Sequence, residues 1–109
     1  MFVIIESPYA GDIERNQVYL ERAIRDCFSR SEIPFASHGF YTHYLNDTKP
    51  EERDQGIKAG YKIAKKLCGS QGLIAFYVDY GYSKGMRKAS NYFEKCSFKM
   101  IERQIGPNP

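Results

Sequence analysis

Residues 73–78, Leu-Ile-Ala-Phe-Tyr-Val, form an uninterrupted apolar run that stops on Asp79. The run is too short for a free-standing helix and is rich in aromatic and branched side chains. That combination fits a strand buried on both faces, which needs helices on each side of a parallel sheet. A turn holding Gly81, Ser83 and Gly85 follows, and a helical pattern resumes between Ser83 and Met86. In open α/β sheets, ligands bind at the carboxyl ends of strands, beside the first turns of the following helices. Function is therefore expected at this junction, together with whichever other strand ends can meet it.

Phe2 to Ile5 is a second continuous apolar run, ending in the polar turn Glu6-Ser7-Pro8-Tyr9-Ala10-Gly11-Asp12. Asp12 is placed to cap a helix over 13–29, whose stripe is Leu20, Ala23, Ile24, Cys27 and Phe28. Continued backwards, the stripe lands on Asn16, a polar residue on an apolar face. It must satisfy either nearby backbone or a ligand. Residues 33–37 read as a short second strand, placed at an edge or begun at the proline because Pro34 lacks a ladder donor. His38 follows, then the aromatic stretch 39–45, which could line a pocket, pack over the sheet edge or serve a subunit contact, a mixture of pocket wall and subunit contact being the leading expectation.

Asn46 to Glu52 is a helix start with cap residues, a first-turn proline and acids, and the helix is expected to run to about Leu67. Its stripe is Ile57, Gly60, Tyr61, Ala64 and Leu67 or Cys68, and backwards it reaches Arg53. That arginine either pairs with a core carboxylate or reaches a ligand. Gly56 and Gly60 lower helix propensity and point to the close approach of another backbone. Gly69 to Gly72 links this helix to the 73–78 strand, and Met86, Ala89, Phe93 and Cys96 mark the inner face of a third long helix. Residues 98–105 read as a fourth strand at an edge, and 106–109 as a frayed end. The order β-α-β-α-β-α-β predicts a single-domain α/β fold with a small parallel sheet of about four strands and helices on its faces. Open sheet edges and a small core favour a homo-oligomer.

The chain has 109 residues with a net charge of +3, a mild and uneven excess. Between 84 and 103, Lys84, Arg87, Lys88, Lys95, Lys99 and Arg103 face only Glu94 and Glu102. Most belong on solvated faces, and together they suit a phosphorylated small molecule better than the long dense footprint of a nucleic acid. No run approaches bilayer length, and residues 1–3 lead straight into a strand rather than a basic signal region, so a cytoplasmic protein is expected. Cys27, Cys68 and Cys96 lack metal-ligand spacing and read as reduced, mostly buried thiols. Two histidines, His38 and His43, leave little material for a metal site, and no cofactor is expected.

Polar groups thus gather at three strand ends: Glu6 to Tyr9, Ser37-His38, and Asp79 to Gly81 with Ser83, Gly85 and Met86 beyond. Asn16 and Arg53 join them from helix starts. Free N–H groups suit a phosphate, carboxylates suit ribose hydroxyls or a cationic anomeric carbon, and Tyr9, Phe40, Tyr41 and Tyr82 suit stacking on a base.

The opening 5–12 segment with Asn16 resembles nucleoside 2-deoxyribosyltransferase-like proteins, including short members from phages and bacteria. So do Pro34 to His38, Pro50 to Arg53 with Gly56, and Asp79-x-Gly81-x-Ser83-x-Gly85-Met86. The resemblance covers nearly the whole chain. It implies a flavodoxin-like three-layer subunit, usually oligomeric, with a nucleoside pocket at the strand ends. It also implies a nucleophilic glutamate in the helix after the glycine turn, yet here that position falls on or beside Ala89, with no acid before Glu94. The expectation is a nucleotide-binding protein without the chemistry, a sponge that sequesters a cyclic or ADP-ribose-type immune signal. The alternative is a deoxyribosyltransferase or N-glycosidase acting through Glu6 or Asp79.

Overall fold

Four strands, Phe2–Glu6 (β1), Ile33–Phe35 (β2), Leu73–Tyr77 (β3) and Met100–Arg103 (β4), build one all-parallel sheet in the order β2-β1-β3-β4. The computed structural model describes residues 1–40, 44–46, 48–68 and 72–106, with only the backbone of Cys68. The predicted Tyr41 and His43, residues 69–71 of the linker and residues 107–109 of the tail lie outside the described residues. As expected from Pro34, β2 is an edge strand, and β4 is the other edge. β3 is buried along its whole length beside β1, as its unbroken apolar run requires.

Helix Ile13–Ser29 (α1) covers one face of the sheet, and Pro50–Cys68 (α3) and Lys84–Lys95 (α4) cover the other. The pleat alternates side chains between these faces. Val3 and Ile5 of β1 and Ala75 and Tyr77 of β3 pack with Tyr19, Leu20, Ala23 and Cys27 of α1. Ile4, Ile74 and Phe76 pack instead with Ala64, Met86, Ala89 and Phe93. The strand order 2-1-3-4 with helices on both faces is a small flavodoxin-like arrangement.

Several local expectations change. β2 stops at Phe35, and Ser37–Phe40 coils into a short helix (α2) rather than continuing the strand. Gly60 of α3 allows this turn to approach, since a Cβ there would sit 2.7 Å from Ser37 Oγ. Phe28 is 62% exposed, whereas Tyr19, left off the stripe expected from the sequence, is fully buried. Cys96 is exposed because α4 ends at Lys95, so the next residue leaves the helical face. Cys27 is buried, as expected. Across the α1 face, Arg103 donates to both carboxylate oxygens of Glu32 at 2.7 and 2.6 Å, and also to Tyr77 Oη at 3.1 Å. No described helix is long and apolar enough to cross a membrane.

Candidate functional site

A cavity of about 590 Å³ opens at the carboxyl end of β1, on the α3–α4 side of the sheet. This is where the strand order reverses between β1 and β3, the usual position for a ligand in such folds. Glu6, Ser7 and Tyr9 come from the end of β1 and its turn, and Ser37 and His38 from α2. Arg53, Gly56, Ile57 and Tyr61 come from the first half of α3, and Ser83 to Met86 with Lys88 and Ala89 from the start of α4.

Burial orders these groups by depth. Ser7, Met86 and Ala89 are buried and form the floor, whereas Arg53, Lys84 and Lys88 are exposed and stand around the rim. Ser7 Oγ and His38 Nε2 lie 2.8 Å apart. Burial pushes the His38 imidazole down to about 4, so the ring is neutral at physiological pH. Burial also pushes the Glu6 carboxyl up to about 8, so most of it is protonated at neutral pH. Among the described residues no ion pair engages Arg53, in contrast to the core salt bridge considered from the sequence. Glu52 is occupied, accepting from the Asn46 amide at 2.9 Å with Lys49 Nζ at 3.7 Å.

α4 begins where its sequence says it should. The Ser83 hydroxyl accepts from the Met86 amide at 3.1 Å, capping the helix and turning its positive end toward the cavity. Gly81, with φ of 79°, makes the preceding turn and does not line the cavity. Pro8 is buried beside the site without lining it.

Two residues singled out from the sequence are held elsewhere. Asp79 belongs to the α1 side, where its Oδ1 accepts from Tyr19 Oη at 2.5 Å and from the Ile105 amide at 3.0 Å. Its Oδ2 accepts from the Gly106 amide at 2.8 Å, pinning the segment after β4. Burial raises this carboxyl, but those hydrogen bonds outweigh it and hold the group below its ordinary value. Asn16 is 1% exposed. Its Nδ2 donates to the carbonyls of Tyr9 and Ala10 at 2.9 and 3.2 Å, and its Oδ1 accepts from Arg15. It shapes the β1–α1 turn from behind, the backbone-satisfying alternative.

The aromatic expectations divide. Tyr9 lines the cavity, but Tyr82 bonds Glu102 and packs on Phe76, and Phe40 lies against Tyr44. Tyr61, assigned from the sequence only to a core stripe, forms the wall with its ring stacked on Tyr92 at 4.0 Å. Among the described residues no group of three or more His, Cys, Asp or Glu is placed to hold a metal ion.

Fold and cleft together define a small flavodoxin-like α/β domain with a hollow of mixed polar and apolar lining at its strand ends. The chain belongs to the family described as a domain of unknown function, DUF7768, whose model matches residues 1–103. No curated protein and no solved structure matches it.

Proposed function

We propose that this protein binds a nucleotide in the β1–α3–α4 cavity and holds it without cleaving its glycosidic bond. The observation that carries this reading is the arrangement of the cavity itself. Polar groups line a hollow of about 590 Å³, with cationic side chains of two helices at its rim. Arg53, Lys84, Lys88 and the start of α4 suit the phosphate, while Tyr9, Ile57 and Tyr61 offer apolar and aromatic surface to the rest of the ligand. On or beside the position where the resemblance to deoxyribosyltransferase-like proteins asks for a nucleophilic acid, the floor carries the methyl group of Ala89. Retention of a nucleotide signal, as by a phage-encoded sponge, is the biological use that resemblance implies. Assembly into a homo-oligomer belongs to the same proposal.

A second reading, an N-glycosidase or deoxyribosyltransferase, now rests on Glu6. That carboxyl lies in the cavity, whereas Asp79 is tied to the segment after β4 on the other face. Thermal melts against a nucleotide panel, followed by chromatography of the ligand, separate the two. Ligand at 100 times its dissociation constant should add about 2.7 kcal/mol of stability and be recovered intact. Free base released from deoxynucleosides, and abolished by Glu6→Gln, would establish the enzyme instead. Absence of any shift across the panel would remove nucleotide binding.

A further inference from the structure

Glu6 closes β1 in register with Phe76 of β3, and the pleat sends it to the same side as Ile4 and Ile74. Its carboxyl reaches the cavity, yet among the described residues no hydrogen bond or ion pair engages it, unlike Ser7, Ser83 and Glu52 beside it. Ser7 is bonded to His38, Ser83 caps α4, and Glu52 meets Lys49 and the Asn46 amide. The titratable and charged groups sharing the cavity are Tyr9 from the turn, His38 from α2, Glu52, Arg53 and Tyr61 from α3, and Lys84 and Lys88 from α4. The three cations are exposed on the rim, where solvent screens them, and His38 is neutral. Tyr61 is the phenol electrostatically coupled to Glu6, and burial first, then that carboxyl's charge, raises it above its ordinary value. A carboxyl with apolar walls and no adjacent cation keeps its proton, in line with its elevated value of about 8.

We propose that Glu6 acts as a neutral carboxylic acid that reads the base of the bound nucleotide through a two-point hydrogen bond. Its hydroxyl donates and its carbonyl accepts, which matches the cyclic amide or amidine edge of a nucleobase. An ionised carboxylate has two acceptors and would match only a pair of donors, such as two sugar hydroxyls. The base therefore points inward to Glu6 and the phosphate outward to the rim. This inference rests on the nucleotide reading of the cavity and adds the chemistry by which the base is chosen.

The test is calorimetric titration of wild type, Glu6→Gln and Glu6→Ala with AMP, GMP, CMP, UMP and ribose 5-phosphate. Each is measured near pH 6.5 and near pH 9. A carboxamide keeps one donor and one acceptor, so Glu6→Gln should bind within about threefold of wild type at the lower pH. At least one nucleotide should bind wild type about tenfold or more tighter than ribose 5-phosphate, and Glu6→Ala should lose that margin. Raising the pH should weaken wild type by about tenfold relative to Glu6→Gln, which carries every other titration in the system unchanged. Loss of binding in Glu6→Gln equal to that in Glu6→Ala, with wild type insensitive to pH, would overturn the proposal in favour of a carboxylate. Ribose 5-phosphate binding as tightly as every nucleotide would overturn it in favour of sugar recognition. Failure of all five probes would instead remove the nucleotide reading itself. Should either variant not fold, the wild-type pH profile with AMP, whose base does not titrate in this range, decides alone.

Discussion

Replacing Glu6 with Gln should stabilise the unliganded protein, and more so as the pH rises. The ordinary value of 4.5 for a glutamate is raised to about 8 by burial in the fold. At low pH the side chain is protonated both folded and unfolded and contributes nothing. Above the ordinary value the unfolded chain ionises while the folded chain does not, so stability falls by about 1.4 kcal/mol per pH unit until the folded value is passed. At pH 7 the full effect is roughly 3.4 kcal/mol. Because the carboxyl faces a hollow open to water, a gain of about 1–3 kcal/mol for Glu6→Gln is the working expectation. For a domain of this size that is a rise of roughly 4 °C or more in Tm. The chain has no tryptophan, so urea unfolding followed by circular dichroism is the suitable assay. Stability curves of wild type and variant should coincide near pH 4 and diverge towards pH 8. Parallel curves throughout would mean that Glu6 is an ordinary, solvated carboxylate and would refute the reasoning.

Arg53→Ala should weaken a nucleotide by about tenfold while leaving the matching nucleoside nearly unchanged, as titration of both ligands would show. Equal losses would remove phosphate from its role. Glu32→Ala should cost about 3–5 kcal/mol in urea unfolding, because it strands the buried Arg103 guanidinium, and the double change Glu32→Leu with Arg103→Met should recover most of it. Asp79→Asn should destabilise by about 1–3 kcal/mol near neutral pH. The Asp79 carboxyl is held below its ordinary value, so its contribution is present above that value and lost as the pH falls through the folded one. The gap between wild type and Asp79→Asn should therefore close in acid.

The layers were legible because their signals are local and redundant. The unbroken 73–78 run fits an interior strand, Pro34 places its strand at an edge or at its own start, and Asp12 is suited to cap α1, and the sheet order and the cap agree. The gathering of these side chains was legible in outline, since Glu6, Ser7, Tyr9, Ser37, His38, Arg53, Ser83, Gly85 and Met86 line one candidate cavity. What failed was assigning faces. Asp79 and Glu6 both end strands and read alike as carboxylates at the rim. Yet Asp79 shares the parity of Tyr77 and points to α1, whereas Glu6 shares that of Ile4 and points to α3 and α4. Counting in twos from a core residue of known face would have separated them. Tyr19 was missed for a different reason. Its inward burial depends on a partner for its hydroxyl 60 residues away, which no local pattern reveals. Asn16 looked like a ligand contact because the carbonyls it satisfies belong to the turn before its own helix.

Amide chemical-shift mapping during titration with a nucleotide measures most directly whether the strand-end hollow is where such a ligand sits. The expected result is saturable shifts concentrated at residues 6–11, 37–38, 53–61 and 83–89, with 79 and 105–106 on the opposite face nearly still. Shifts confined to that opposite face, or none with any nucleotide at millimolar concentration, would contradict it.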